Sequence, residues 1–423
     1  MTSGTLEIDG VEYPDAEASD PNSLKWMQGS PPPPAKRIRF QDDSFLEFPQ
    51  IRWTLSHMRE LVPTAAVWRG SAPKSDLGPT PGGEAAIDAL VFEDMQGGKL
   101  TWARSLQRTY TDGIMVLHRG RRIYERYFGA LQPQRPHACF SITKSYAATL
   151  AAALIEERAL DEHKTVSHYL PEMSGTAYKD ATLRQVLDMQ IGVAYSELYV
   201  DPQAEIWAYG RAGGMRPRQP GQDGPDNFYD YLQTLRPEGG HGAAFAYKTV
   251  NTEVLCWVMK RVTGVALPDM LSERIWSRIG CEEDGYLTVD STGVAMGGGG
   301  LSASLRDLCR FGELMRCDGA WEGRQIIPAP VIADIRRGSD PEKFVKAGYT
   351  LLPGYSYRNM WWVSHNAWGA FEGRGIHGQR LYVVPRAELV IARFSSHPVA
   401  SSAANDPVTL PAFAAIVRML MGA

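Results

Sequence analysis

Ser141-Ile142-Thr143-Lys144-Ser145-Tyr146-Ala147-Ala148-Thr149-Leu150 opens a stretch with no glycine or proline before His163. Apolar residues at Ala147, Leu150, Leu154 and Ile155 predict a helix from Ser141 to about Arg158. Positions i and i+3 share a helix face, so the Ser141 hydroxyl and the Lys144 amine fall within hydrogen-bonding reach. A serine hydroxyl is a poor nucleophile at neutral pH and needs a base. Lysine can be that base if burial and the positive helix N-terminus keep it partly neutral. The same N-terminus leaves backbone N–H groups free for an oxyanion. One short segment thus carries most parts of an acyl-transfer site.

Spacing alone does not single it out, because Ser71-Ala72-Pro73-Lys74 repeats the pattern. There, Pro73 and the cluster Gly78, Pro79, Pro81, Gly82 and Gly83 forbid a sustained helix, so Ser71 and Lys74 share no face.

The 423 residues allow an ample core, and 44% hydrophobic with 22% charged residues is ordinary for a globular chain. A net charge of −4 gives no reason to expect nucleic acid or an anionic membrane as partner. The five cysteines, 139, 256, 281, 309 and 317, are odd in number and contain no C-x-x-C pair. They argue against a disulfide framework or zinc ribbon and fit a reducing compartment. Six acidic residues precede Lys25, the reverse of a basic export signal. The longest apolar run, Tyr146 to Ile155, is too short to span a bilayer. A cytoplasmic protein without cofactor or metal is expected. His163 and His168 are five apart and would not share a helix face, and the other histidines are scattered.

Residues 1–49 read as an irregular, solvated arm with four prolines at 31–34 and the basic patch Lys36-Arg37-Ile38-Arg39. Residues 50–423 form the main domain, with sheet regions at 50–140 and 291–423 and a mostly helical region at 141–290. Ile114 to His118 and Ile123 to Phe128 read as one hairpin, Leu381–Val384 and Leu389–Phe394 as another, and Pro411–Met421 as a closing helix. Residues 209–225 and 236–243 are turn-rich. Strands at both ends with helices between them predict an α+β fold, an antiparallel sheet flanked by helices.

Two further segments supply candidates. Phe245-Ala246-Tyr247-Lys248-Thr249 follows a glycine-rich loop and precedes an amphipathic helix ending at Gly264. Tyr247 could return a proton to a leaving group, or be a core aromatic at strand spacing. Gly373-Arg374-Gly375-Ile376-His377-Gly378-Gln379 lets a backbone approach a ligand closely, or is a tight loop feeding a strand.

A Ser-x-x-Lys at a helix start, a tyrosine about a hundred residues later and a glycine-rich strand near the end resemble the penicillin-recognising serine hydrolases. From about residue 50 onward the chain is similar to class C β-lactamase-like proteins, and most to the 6-aminohexanoate-dimer (nylon-oligomer) hydrolase and carboxylesterase branch. The segments that carry this are Gln185–Ile191, Tyr199-Val200-Asp201-Pro202, Asn251–Leu255, Gly299–Leu308 and Gly375–Gln379. The resemblance implies a β-lactamase/transpeptidase-like fold and cleavage of an ester or linear amide. It casts Ser141 as nucleophile, Lys144 as base, Tyr247 as proton relay, and the Ser141 and Ile376 N–H groups as oxyanion hole. Gly375, Thr249 and a substrate-covering Tyr199 complete the implied set. Two positions depart from the family pattern. Gly373 stands where β-lactamases carry a lysine or histidine for the substrate carboxylate; adjacent Arg374 could substitute, although a strand neighbour normally points to the opposite face. Gly210 stands where the nylon-oligomer hydrolases carry an aspartate that could hold a substrate ammonium. A β-lactamase, a D-Ala-D-Ala peptidase or a non-catalytic binding protein on the same fold stay open as alternatives, as does a homodimer.

Overall fold

Alternating apolar side chains build the centre of the molecule, whose computed structural model describes residues 4–422. The first hairpin is β1 (Thr111–His118) and β2 (Arg121–Tyr127). Late in the chain follow β3 (Ser356–Arg358), β4 (Trp361–Val363), β5 (Phe371–Gly375), β6 (Gln379–Val384) and β7 (Leu389–Ser395). They form one antiparallel sheet in the order β3-β4-β5-β6-β7-β1-β2, so the early hairpin is annealed to the late strands through β7 and β1. In that register Leu117 faces Val390 and Val116 faces Ile391.

Helices cover both faces of the sheet. Ile114, Val116, Tyr382, Val384 and Ile391 pack with Trp102 and with Phe413 and Ile416 of the closing helix, which spans Asp406–Met421. Met115, Leu117, Leu381, Val383 and Val390 pack on the other side with Phe311, Leu314 and Met315 of the helix Leu305–Arg316. That helix starts where Ser304 accepts the Asp307 N–H, a side-chain cap. The expected α+β architecture is the observed one.

Helix α1 (Ile142–Glu156) follows the expected segment, with Ser141 at its N-cap. Nearly every residue in it is buried, as befits a helix apolar all round. It packs on α2 (Val250–Thr263) and on β5. A second sheet of four short strands, Thr64–Val67, Gly285–Thr288, Leu301–Ala303 and His137–Ala138, delivers the chain into α1. Cys139 N–H donates to Leu301 O at 2.8 Å, fixing the last step before Ser141.

Three expectations need correction. Strand Gly285–Thr288 lies inside the region expected to be helical; its four residues are all buried, so no alternation marks it. Helix Glu205–Ala212 runs into the stretch expected to be turn-rich, held by buried Ile206 and Tyr209 and ending at Gly213. Residues 1–49 are neither wholly irregular nor a loose arm. Thr5–Ile8 and Val11–Pro14 pair as a ribbon, and Ile38 and Phe45 are buried with Trp53, Leu55 and Met58. Buried Arg52 donates to Ala16 O and Ser19 Oγ, and Tyr110 Oη to Pro14 O. The prolines at 31–34 set only their own conformation; the apolar residues after them supply a face to bury. In the basic patch, Lys36 lies over Trp26 and Arg39 pairs with Asp42. Among the described residues no helix is long and apolar enough to cross a membrane.

Phe311 is fully buried and stacks on Tyr146 at 3.6 Å between ring centroids. Phe311→Ala is expected to lower unfolding free energy by about 3–5 kcal/mol in urea titration. A loss under about 1 kcal/mol would mean this contact is not part of the packed core.

Candidate active site

Phe140, immediately before Ser141, has φ of +45°, a left-handed conformation costly for an aromatic residue. Two hydrogen bonds hold it. Thr143 Oγ1 donates to Phe140 O at 2.6 Å and accepts the Leu301 N–H at 3.1 Å, tying the helix start to the small sheet. The turn presents the Ser141 hydroxyl at the end of α1.

Lys144 is fully buried and its Nζ donates to Ser141 Oγ at 2.8 Å, as the i, i+3 spacing requires. Nζ also donates to the Gly298 carbonyl and lies 5.1 Å from the centre of the Tyr247 ring. Burial pushes the amine from its ordinary 10.5 down to about 8, with Glu197 and Glu253 opposing. Tyr247 stacks on Trp362 at 5.6 Å. Burial raises its hydroxyl well above the ordinary value, and a contact with the Ser141 hydroxyl works the other way. Tyr247, over a hundred residues further along the chain, therefore converges with Ser141 and Lys144 on one point. Ser71 and Lys74 do not: they lie outside any helix, and Lys74 faces Glu282.

Behind the lysine lies a group in which the sequence marked Thr249 alone. Glu253, 2% exposed, accepts from Gly297 N–H at 2.9 Å, Gly298 N–H at 2.7 Å and Tyr209 Oη at 2.6 Å. A Cβ on Gly298 would lie 2.4 Å from Thr249 Cγ2, so only glycine fits there. Thr249 is buried, and its backbone N–H donates to the Glu197 carboxylate. Burial raises the carboxyl pKa of both Glu197 and Glu253, partly offset by these donors. Buried carboxylates with several donors are a legible signal only once tertiary neighbours are known.

Strand β5 brings the fourth piece. A Cβ on Gly375 would lie 2.6 Å from Cys139 O, so glycine is what lets β5 run against the segment leading to Ser141. Ile376 follows, and Ser141 and Ile376 line two adjoining cavities of about 420 and 370 Å³. Tyr247, Tyr349, Trp362 and Arg374 wall the first. Asp43, Trp207, Gly210, Met215 and Thr249 line the second. Tyr199 borders both, edge-on to Trp207 at 5.7 Å, between the exposed side chains of Leu198 and Val200.

Both departures read differently in three dimensions. A Cβ on Gly373 would lie 3.2 Å from Ile142 Cγ2 and from Ser145 Oγ of α1, and Gly373 does not line either cavity. Arg374 is indeed on the opposite face, and that face borders the cavity. Its guanidinium is already bound to Glu372 and Asp406 and lies over Trp362. Gly210 faces Arg216, whose Cγ would be 3.4 Å from a Cβ there, and Arg216 pairs with Asp43 from the N-terminal segment. The second cavity thus holds an acid from another part of the chain, neutralised by Arg216. Among the described residues no three His, Cys, Asp or Glu side chains are grouped to hold a metal ion.

This site can be placed among known proteins. The Beta-lactamase family profile matches residues 88–412. The chain belongs to the β-lactamase family. It is a hydrolase of that family. A 6-aminohexanoate-dimer hydrolase of Paenarthrobacter ureafaciens is 36% identical over 359 residues, covering 84% of this chain and 88% of that protein. A solved structure from Bacillus anthracis, provisionally named a 6-aminohexanoate-dimer hydrolase, superposes with TM-score 0.81 at 31% identity, covering 93% of this chain and 99% of that one. A penicillin-binding protein homologue from Caulobacter crescentus shares the fold at TM-score 0.54 and 16% identity, covering 80% and 99%. This β-lactamase-family chain therefore carries Ser141, Lys144 and Tyr247 together on the family's fold.

Gly375→Ala forces β5 away from Cys139 and separates the Ile376 N–H from Ser141. Fluorophosphonate labelling of the variant is expected to slow by about 10²-fold, the usual penalty for a misplacement near 1 Å. Labelling at the wild-type rate would mean the close approach of β5 is not required.

Proposed function

We propose that this hydrolase cleaves carboxylic esters and linear amides through a covalent Ser141 acyl-enzyme, with Lys144 as base and Tyr247 as proton relay. The observation that carries the reading is a fully buried lysine amine, 2.8 Å from the serine hydroxyl, with its pKa lowered to about 8. Near that pH a large fraction of the amine is neutral and can accept the hydroxyl proton. Ser141 Oγ then bonds to the carbonyl carbon, and the oxyanion faces the Ser141 and Ile376 N–H groups. Collapse breaks the bond to the leaving group, which takes a proton delivered through Tyr247. Water replaces it, gives its proton to the Lys144–Tyr247 pair, attacks the acyl carbon and releases the acid, and the proton returns to Ser141.

Substrate class follows from the walls. Two cavities meeting at Ser141 suit an extended substrate with an acyl arm on one side and a leaving-group arm on the other. The relationship to a 6-aminohexanoate-dimer hydrolase supports linear amides as one class. Esters should turn over faster, because an alkoxide or phenoxide leaves more readily than an amine. A β-lactam carboxylate would meet Arg374 in the first cavity, already engaged by Glu372 and Asp406, or Arg216 in the second, paired with Asp43. Five unpaired cysteines support action in the cytoplasm.

Ser141→Ala is expected to reduce p-nitrophenyl ester hydrolysis by about 10⁴-fold or more, while Ser71→Ala stays near wild type. Inactivation by the Ser71 change alone would refute the assignment. The pH dependence has a definite sign. Lys144 works as the neutral amine, so kcat/KM should rise with pH and level off above about 8. Lys144→Arg should be inactive, since guanidinium stays protonated throughout. A flat profile, or an active arginine variant, would remove lysine from the mechanism.

A further inference from the structure

Resting on the Ser141–Lys144 reading, we infer that Glu253 is a positioning residue for the base, acting through the Gly297–Gly298 backbone with Tyr209 holding its carboxylate. A neutral lysine amine has two hydrogens and one lone pair. For the lone pair to face the Ser141 hydroxyl, an acceptor on another side must take a hydrogen, and the Gly298 carbonyl does so. That carbonyl belongs to a glycine segment with little conformational restraint of its own. Its restraint comes from Glu253, which takes the N–H of Gly297 on one oxygen and that of Gly298 on the other. Tyr209 Oη adds a third donor to the second oxygen. Three donors converging on two buried oxygens suit a carboxylate. An amide in its place would set a donor against one of them.

The carboxylate also acts through its charge. As an anion near the amine it favours the protonated lysine and so limits how far burial lowers the lysine's proton affinity. The other titratable groups facing Lys144 are Glu197 and Tyr247. Those facing Glu253 are Tyr209, Cys256 and Tyr229, all held neutral by burial. Glu253 therefore does two things: it aims the amine and it sets the pH at which the amine becomes free.

The test uses the full chain with an ester substrate from pH 5 to 10, and rates per active site counted by fluorophosphonate titration. Glu253→Gln should lower kcat about tenfold or more, leave KM within about twofold, and move the acid limb of kcat/KM to lower pH. Glu253→Asp keeps the charge but retracts it by one methylene, so the limb should stay while kcat falls about fivefold. A purely structural role would reduce the titrated sites and leave the limb of the remainder in place. An unmoved limb with wild-type kcat in Glu253→Gln overturns the inference. If that variant does not fold, Tyr209→Phe decides. It removes one donor and should lower kcat a few-fold without shifting the limb to lower pH, and wild-type kcat there is equally fatal. Failure of the underlying reading looks different: the wild type itself would show no limb, or Lys144→Arg would be active.

Discussion

Burial of the Lys144 amine against the Ser141 hydroxyl is the constraint to which the rest of the site conforms, because a lysine in water is protonated at neutral pH and accepts nothing. Keeping it dry requires a helix surrounded on all sides, and α1 is such a helix. Small residues at Ala147, Ala148, Ala151, Ala152 and Ala153 let its neighbours close around it, while Ser145 and Thr149 tie it to Met360 and Trp361. The same burial makes every polar group near the amine answerable for a partner. The Gly298 carbonyl and the Glu253 and Glu197 carboxylates are each accounted for by specific donors.

Two opposed tendencies set the result. Desolvation alone would carry the amine far below its ordinary value, and the two carboxylates restrain it. Burial raises the pKa of both carboxyls in turn, and donors oppose the rise: the Thr249 N–H at Glu197, and Tyr209 with the Gly297 and Gly298 N–H groups at Glu253. A base whose pKa lies near working pH is a compromise between availability and strength. Here it is struck by Lys144 of α1, Glu253 of α2, Glu197 of an intervening loop and the Gly297–Gly298 turn, four segments well separated in sequence.

Much of this was legible beforehand. The two hairpins, α1 and the Ser141–Lys144 contact follow from periodicity and i, i+3 geometry, which are local properties. Tyr247 and Ile376 needed the family pattern, since a tyrosine after a loop and an isoleucine after a glycine have many ordinary explanations. Glu253 and Tyr209 were not visible, because a glutamate on a helix normally faces solvent and only the tertiary placement of Gly297–Gly298 gives it work. Strand alternation sets Arg374 opposite Gly373, but which strand face borders the cavity depends on how β5 lies against α1. The prolines of the N-terminal segment point to a loose arm, yet Phe45 and Ile38 find their partners in Trp53, Leu55 and Met58, pairings no local window reveals.

The pairing of β1 with β7 bears on how the chain reaches this state. Leu117 and Val390 lie side by side although about 270 residues separate them. Loop closure over that distance must precede the reward from the contact, which slows folding of such topologies. On the ribosome, the hairpin of β1 and β2 has no neighbour on its β1 side until the last strands emerge. Residues 114–117 are continuous apolar sequence and would wait as an open edge, the kind of surface that templates aggregation. Yield in expression should therefore respond more to temperature and chaperone supply than to the stability of the finished enzyme.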